Sequence, residues 1–249
     1  MSTRDLRVPE SLVTALRIAQ SVTVLTGSGV SAESDVPTFR EAQTGLWARF
    51  DPEELATPEA FARDPRLVWE WYAWRRKLVE KAIPNPGHET LAELERRVPS
   101  FALITQNVDG LHRRAGSQNV IELHGNVRRS KCSREGVTVE PREDDTGVPP
   151  SCPRCGVFLR PDVVWFGETL PVGALTKAFE AARGCNVFFS AGTSGLVLPA
   201  ASLPFEALRS GAVVVEVNPD ETPLTRHASY VFRGRAGEVL PALVKTAYG

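Results

Sequence analysis

The chain has 249 residues, enough for one large α/β domain or for two lobes that share a cleft. Its 29 Lys and Arg residues nearly balance 30 Asp and Glu residues, so its charge favours neither nucleic acid nor an anionic membrane as the main partner. The N-terminus lacks the apolar core of a signal peptide, and no apolar run approaches the roughly 20 residues of a membrane span. We expect a cytoplasmic protein without a nucleic-acid or membrane partner, and its oligomeric state stays open.

Helical patterns and short apolar runs alternate along the chain. Helices are predicted over residues 10–20, 88–97 and 171–183. Buried strands are predicted for "VTVLTG", "FALITQN", "NVFFSAGTS" and "GAVVVEVNP", which are short and β-branched and end in turn residues. This alternation predicts an α/β fold with a Rossmann-like, doubly wound parallel sheet.

Two insertions interrupt the alternation and predict a smaller lobe. Residues 41–85 are helical and rich in tryptophan and arginine, whereas residues 128–165 are rich in turns and carry three cysteines. The larger lobe would then comprise residues 1–40, 86–127 and 166–249 of a single catalytic domain. Ligands of open parallel sheets bind beyond the carboxyl ends of the strands, so we expect the chemistry in a cleft between the two lobes.

The turn after the first strand has the pattern G-x-G-x-x-A, formed by Gly27, Gly29 and Ala32. Such a turn lets backbone amides approach a pyrophosphate, although an ordinary glycine-rich turn explains the pattern about equally well. The acid that a dinucleotide-binding fold places about 20 residues later is missing.

The stretches "GSGVSAESDVPTFR", "TQNVDGLH", "HGN", "GTS" and "VNP", in this order, resemble the sirtuin family over nearly the whole chain. The resemblance implies NAD-dependent removal of acyl groups from protein lysines, with release of nicotinamide and formation of an O-acyl-ADP-ribose. Two positions depart from the family pattern. Ser28 replaces its usual alanine, and Asp35 replaces a glycine and is expected to point away from the cofactor phosphates.

The resemblance also implies the residues that bind NAD, and it makes Phe39 an aromatic shield against water. The cofactor-binding residues would be Gly27, Ser28, Gly29, Ala32, Glu33, Thr38, Phe39, Arg40, Gln106, Asn107, Asp109, Gly192, Thr193, Ser194, Asn218 and Ala236. Taken alone, Asn107 and Asp109 fit better a capped turn in which they bind local amides, by about two to one.

His124 follows an apolar run and precedes a glycine. A histidine in this setting is more often structural, but its near-neutral pKa suits a general base that reaches a ribose hydroxyl. The resemblance makes His124 the catalytic base, with Asn107 and Asp109 as the other catalytic residues. His88 and His112 are given no role in proton transfer.

The segment "RPDVVWFGE" is similar to the family's segment that binds the acyl-lysine peptide by strand addition, although an ordinary strand and tight turn explain it too. The resemblance assigns substrate contacts to Val164, Trp165, Phe166, Gly167 and Glu168.

Tyr72 and Arg75 are three residues apart on a predicted helix and share a face. An arginine beside aromatic residues is usually part of a solvated helix face. The pair nevertheless matches the desuccinylase-like class of sirtuins, in which Ala56 would widen the acyl pocket. A guanidinium and a phenol can bind the carboxylate of succinyl- or malonyl-lysine, so we expect a preference for charged acyl groups.

Cys132, Cys152 and Cys155 resemble the family's four-cysteine zinc module, but Glu135 occupies the position of one cysteine. Zinc accepts a carboxylate oxygen, so we expect Zn²⁺ bound by the three cysteines, with Glu135 as a candidate fourth ligand. The alternative is a small lobe that is held by packing alone. Cys185 is expected to be a small core residue.

Three other functions share parts of this pattern. An NAD-dependent dehydrogenase would use the phosphate turn and keep the nicotinamide on its ribose. A mono-ADP-ribosyltransferase or NAD glycohydrolase would release nicotinamide without deacylating a substrate. A non-catalytic NAD-binding interaction module would need neither His124 nor Asn107 and Asp109.

Overall fold

The computed structural model describes residues 6–36 and 51–249. In this part of the chain the strands are β1 Ser21–Thr26, β2 Ser100–Thr105, β3 Val120–Glu122, β4 Gly125–Cys132, β5 Leu159–Val163, β6 Val187–Ala191, β7 Val213–Val217 and β8 Tyr230–Phe232. Six of them form one sheet in the order β3-β2-β1-β6-β7-β8, in which every neighbouring pair is parallel. The predicted doubly wound parallel sheet is thereby confirmed.

Helices cover both faces of this sheet. They are α1 Glu10–Ile18, α2 Ser28–Ser31, α3 Pro52–Leu55, α4 Pro58–Arg63, α5 Pro65–Lys81, α6 Pro86–Arg97, α7 Leu111–Arg114, α8 Val172–Gly184, α9 Leu203–Arg209 and α10 Ala236–Tyr248. Val24 packs on one face, with α1, α6 and α10, whereas the next residue, Leu25, packs on the other face, with α8 and α9. Because side chains alternate along a strand and both faces are covered, the central strands β1 and β6 are buried at nearly every position and are mostly apolar.

The four predicted strands correspond to β1, β2, β6 and β7, and the three predicted helices to α1, α6 and α8, with bounds that differ by at most three residues. The edge strands β3 and β8 were not predicted, because three residues are too few to show a period. Helix α10 was also not predicted. A proline inside it, Pro241, obscures the helical pattern.

A second group of elements comes from the two insertions. Helices α3 to α5 derive from the first insertion, and the antiparallel pair β4–β5 frames the second. Trp71, Tyr72, Val127, Val163 and Trp165 share one apolar cluster, so both insertions pack on each other. Strand β4 begins at Gly125, slightly before the predicted lobe boundary at residue 128.

Over the residues that the structure describes, every helix is too short or too polar to cross a membrane.

Candidate active site

The glycines of the first turn are needed because two turns lie against each other. Gly29 donates its N–H to the carbonyl of Gly192, at 2.9 Å. A Cβ on Gly27 or Gly29 would come within 3 Å of the chain at Gly192 or Thr193, and Gly192 itself has a φ of 58°. Small residues here therefore bring the turns after β1 and β6 together, in addition to leaving room for a phosphate.

Glu33, a predicted cofactor residue, is engaged by the last helix. Its carboxylate accepts a hydrogen bond of 2.8 Å from the N–H of Gly237, in the first turn of α10. The first amides of a helix lack internal partners and carry positive partial charge, which explains this contact. It also places Ala236, the first residue of α10, beside the turn that contains Ala32 and Glu33.

Asp35 has a left-handed backbone conformation, with a φ of 57° and a ψ of 25°. Aspartate and asparagine tolerate this region better than other residues with a Cβ. The conformation explains why a glycine suits the same position in the resembling family. Thr38, Phe39 and Arg40 lie outside the described residues.

Asn107 and Asp109 meet around Ser31, which the sequence analysis did not single out. Asn107 donates from Nδ2 to the Gly27 carbonyl and to the Ser31 hydroxyl, both at 3.0 Å. Ser31 in turn donates to Asp109 Oδ2 at 2.8 Å, and Asp109 Oδ1 accepts from the Leu111 N–H at 2.8 Å. Burial raises the pKa of Asp109, against these hydrogen bonds. Asp109 therefore does cap the turn before α7, as the structural alternative predicts. The same carboxylate is also connected through Ser31 to Asn107, the other predicted catalytic residue.

Two buried histidines lie beneath this cluster, with ring centroids 4.7 Å apart. His88 Nδ1 accepts from the Asn85 N–H at 3.3 Å, so its proton sits on Nε2, which faces Ser31 Oγ at 3.3 Å. His112 Nε2 lies 2.9 Å from Thr26 Oγ1. Burial lowers the pKa of His88 to about 4 and that of His112 well below its ordinary value. Both rings are therefore neutral at pH 7 and support the site from below.

The carboxyl ends of β2, β6 and β7 converge on Thr193. Gln106 Nε2 donates to its hydroxyl at 2.9 Å, and Asn218 Nδ2 donates to its carbonyl at 3.2 Å. Ser194 beside it is exposed. The sheet topology therefore brings together polar groups from residues 106, 193 and 218, as expected for the ligand edge of a parallel sheet.

His124 has one tautomer that the structure favours. Its Nδ1 lies 2.9 Å from the Gln106 carbonyl, which can only accept a hydrogen bond, so Nδ1 carries the proton and the Nε2 lone pair remains available. Burial lowers the pKa of His124, although the bond to Gln106 opposes this effect. A neutral imidazole with an available Nε2 is what a general base requires near pH 7.

The predicted peptide-binding segment lies directly beside His124. The N–H of Val164 donates to the His124 carbonyl, and the N–H of Phe166 donates to the Ala56 carbonyl, both at 2.9 Å. Phe166 is exposed, and Gly167 has a φ of 84°. The segment thus connects the candidate base with one of the residues predicted to line the acyl pocket.

Ala56, Tyr72 and Trp165 belong to the same buried apolar cluster. Trp165 Nε1 donates to the Tyr72 hydroxyl at 3.0 Å. The guanidinium of Arg75 lies 5.3 Å from the centroid of the Trp71 ring, and burial lowers its pKa. Burial raises the pKa of Tyr72, which stays a neutral hydrogen-bond donor. Arg75 is therefore half-buried and partly shielded from water, unlike the fully solvated arginine of the alternative interpretation.

These residues fit an NAD-type ligand by the chemistry they offer. Short turns around Gly27, Gly29 and Gly192 leave the backbone accessible, and amide, carboxyl and imidazole groups suited to sugar hydroxyls lie nearby. The residues that would hold the ligand come from the ends of neighbouring strands.

The three predicted metal ligands also come together. The sulfur atoms of Cys132, Cys152 and Cys155 all lie within 4.8 Å of one another, and those of Cys132 and Cys155 are 3.4 Å apart. Zn²⁺ prefers four ligands in a tetrahedron and binds thiolates readily, so this donor set fits zinc with one position left to fill.

Glu135 does not join the thiol cluster and instead lies 3.3 Å from Arg154. Two similar turns face each other here, and Glu135 has the position in one turn that a cysteine has in the other. In each turn the carbonyl of a leading cysteine accepts from a glycine four residues later, Cys132 from Gly136 and Cys152 from Gly156, at 2.9 Å. Glu135 is thus the counterpart of Cys155, but its carboxylate pairs with an arginine of the opposite turn.

Replacing Glu135 with cysteine should complete a four-thiolate site. We expect release of Zn²⁺ to a chelator to slow by at least about tenfold, because a fourth strong ligand holds the ion. Absorbance of a zinc-chelator dye measures the rate directly. The control is Glu135→Gln, which removes the carboxylate without adding a thiolate. Equal release rates for Glu135→Cys and the original chain would contradict this prediction.

Residues 27–199 match the family described as "Sir2 family". An NAD-dependent protein deacylase of Aquifex aeolicus (strain VF5) is 56% identical over 217 residues, which cover 87% of this chain and 90% of the relative. A solved mutant Sir2 homologue in complex with 2′-O-acetyl ADP ribose is 50% identical, with a TM-score of 0.87 and 96% of each chain covered. A Sir2–p53 peptide–NAD+ structure is 31% identical, with a TM-score of 0.83, and covers 96% of this chain and 98% of that one.

The family match spans more than half of the chain, and the similarity to the Aquifex protein extends over most of both sequences. The parallel six-stranded sheet with its helices agrees with this relationship. The resemblance inferred from the short motifs is confirmed: the chain belongs to the Sir2 family.

Proposed function

We propose that this protein is an NAD-dependent protein-lysine deacylase that removes succinyl, malonyl and acetyl groups, with release of nicotinamide and formation of O-acyl-ADP-ribose. The observation that carries the proposal is the setting of His124. Its available Nε2 belongs to a ring fixed by Gln106, while its own carbonyl binds the segment proposed to hold the peptide. One residue thereby joins the candidate cofactor edge to the candidate substrate edge.

Bound NAD would supply the electrophilic ribose carbon that the oxygen of the acyl amide attacks as nicotinamide leaves. His124 would take a proton from a ribose hydroxyl onto Nε2, so that this hydroxyl attacks the carbon of the resulting imidate. One water molecule is then consumed as the lysine amine leaves and O-acyl-ADP-ribose forms. Asn107 and Asp109, held together through Ser31, would orient the nicotinamide and its ribose. Fixed groups in a dry cleft favour reaction with the acyl amide over hydrolysis by water.

We assign the remaining predicted residues by the same argument. Backbone and side-chain contacts to NAD would come from the turns after β1, β2, β6 and β7 and from the start of α10. They comprise Gly27, Ser28, Gly29, Ala32, Gln106, Gly192, Thr193, Ser194, Asn218 and Ala236, while Glu33 would act through its bond to Gly237. The division into a large lobe and a small lobe remains part of this proposal, as does a cleft between them.

A preference for charged acyl groups is supported by the surroundings of Tyr72 and Arg75. An acetyl group offers no anion to a guanidinium, whereas a succinyl or malonyl group ends in a carboxylate. Arg75 stands near Tyr72 beside a cluster of apolar residues, and its partial shielding from water strengthens its attraction for an anion. Peptides bearing an acylated lysine would pair with the backbone of residues 164–168.

Mass spectrometry of a reaction that contains NAD and matched acetyl-, succinyl- and malonyl-lysine peptides tests the proposed function. We expect free lysine peptide, nicotinamide and O-acyl-ADP-ribose in equal amounts, and faster turnover of the succinyl and malonyl peptides. Release of nicotinamide without loss of the acyl group would instead indicate ADP-ribosyl transfer or NAD hydrolysis. If all of the nicotinamide is still bonded to its ribose at the end of the reaction, as in NAD or NADH, the proposed deacylation is contradicted.

A further inference from the structure

The hydroxyl of Tyr72 is held from one side by Trp165. The phenol is 3% exposed, and the indole Nε1–H, which can only donate, points at its oxygen from 3.0 Å. The Tyr72 oxygen is therefore an acceptor in this bond. Because a phenolic hydrogen stays near the ring plane, it is directed away from the indole and is available to donate on the other side of the oxygen.

Trp165 is itself fixed on several sides. Its backbone N–H donates to Glu168 Oε2 at 2.8 Å, and the guanidinium of Arg160 stacks on its ring, 3.3 Å from the centroid. Arg160 also binds both oxygens of Glu168, at 2.6 and 2.8 Å. The ring of Phe61 packs at 5.4 Å between centroids. A buried, stacked indole in this frame presents its N–H in one direction only.

This frame belongs to the segment beside His124. Val164 and Phe166, on either side of Trp165, bond to His124 and Ala56 through their backbone amides. The same five residues that are proposed to pair with the peptide backbone therefore also carry the group that orients Tyr72. The sequence motif indicated peptide contacts for Trp165 and gave no role to its indole nitrogen.

We propose that Trp165 is a positioning residue for acyl specificity: its indole N–H fixes the Tyr72 oxygen as an acceptor, so that the phenolic O–H is donated to the carboxylate of a charged acyl chain. This inference rests on the proposed function, in which Tyr72 and Arg75 bind that carboxylate. It adds a determinant that lies on the peptide segment rather than on α5.

The experiment compares kcat/KM for succinyl- and acetyl-lysine peptides of the same sequence. Trp165→Phe keeps an aromatic ring and removes the N–H donor. We expect the ratio of the succinyl value to the acetyl value to fall by about three- to tenfold, the range of one neutral hydrogen bond, mainly through KM for the succinyl peptide. Replacement of Trp165 by β-(3-benzothienyl)alanine, in which sulfur replaces the N–H, preserves the bicyclic shape and should give the same fall.

A double-mutant cycle separates this role from packing. In a Tyr72→Phe background there is no hydroxyl to orient, so Trp165→Phe should leave the succinyl-to-acetyl ratio where Tyr72→Phe alone puts it. A further fall in that background would overturn the inference, as would an equal loss of both activities in the Trp165 variants. Thermal unfolding of each variant identifies losses of activity that come from loss of folding. If Trp165→Phe is unstable, the succinyl-to-acetyl ratio of the benzothienyl variant tests the inference.

Arg75→Met, measured with the same two peptides, distinguishes the inference from the function on which it rests. A selective loss of desuccinylation in Arg75→Met together with no selective loss in the Trp165 variants would overturn the inference alone. Equal losses of both activities in Arg75→Met would overturn the proposed acyl pocket and the role of Trp165 with it.

Discussion

Replacing His124 with glutamine should lower kcat/KM by about 10²- to 10⁴-fold for every acyl-lysine peptide, the range that a positioned general base contributes. Glutamine keeps polar groups in the cleft but cannot take up a proton near pH 7. The ring is otherwise well placed for this role, since the Gln106 carbonyl holds the proton on Nδ1 and leaves Nε2 available. Steady-state assays with acetyl- and succinyl-peptides measure the loss.

The matched control is His227→Gln, at an exposed histidine that contacts Phe205 rather than the site. It should leave kcat/KM within about twofold of the original value, as is usual for exposed positions. In the original chain, the acid limb of kcat/KM against pH should have its midpoint below 6.5, because burial lowers the pKa of His124. The base is neutral above its pKa, so activity is retained as pH falls to that value and is then lost. A midpoint above 6.5, or a small effect of His124→Gln, would contradict the assignment.

Replacing Arg75 with methionine should lower kcat/KM for succinyl- and malonyl-peptides by about 10- to 100-fold, the value of a charge-assisted hydrogen bond, while deacetylation persists. Methionine keeps an apolar stem that can pack on Trp71, so the change removes the charge more than the volume. The acyl carboxylate would then enter an apolar cluster without the guanidinium of Arg75 to bind it, while Arg160 stays paired with Glu168. Parallel assays of the three acyl-peptides measure the ratio.

Arg66→Met, on the same helix, is the control for Arg75. Arg66 pairs with Glu70 at the surface, where its side chain is 73% exposed, and its loss should leave the preference between acyl groups unchanged. If Arg75→Met reduces deacetylation as much as desuccinylation, Arg75 supports the fold of the pocket and does not select the acyl group.

Much of the fold could be predicted because the central strands are buried on both faces. A strand such as β6, with the sequence VFFSA, is buried at every position and is polar only at Ser190, and this pattern is visible without a structure. The edge strands β3 and β8 have three residues each and half-exposed positions, so their sequence carries little signal. Helix α10 has apolar residues at positions 239, 240, 243 and 244, which is a helical spacing. Pro241 lies between them, and a proline inside a pattern normally counts against a helix.

The sequence could predict which polar residues lie at the ends of the strands, but not which side chains they bind. Asn107 and Asn218 follow buried strands and His124 follows the edge strand β3, and parallel topology brings such positions to one edge of the sheet. By contrast, the pairs Ser31–His88, Glu135–Arg154 and Tyr72–Trp165 join residues that are distant in sequence or in separate turns. Side-chain direction decides those pairs, and a local pattern does not contain it. The sequence assigns His88 no role in proton transfer, and it does not show that the His88 ring lies against the serine that joins Asn107 and Asp109.

The bond between Glu33 and the N–H of Gly237 spans 204 positions of sequence, and it ties the cofactor turn to the final helix. A fusion partner, a binding protein or a truncation that loosened α10 would thus disturb the turn that is proposed to bind NAD, although it touched none of the residues proposed to hold the acyl-lysine. A protein fused to the end of α10 is therefore expected to weaken NAD binding without changing any residue of the proposed acyl pocket.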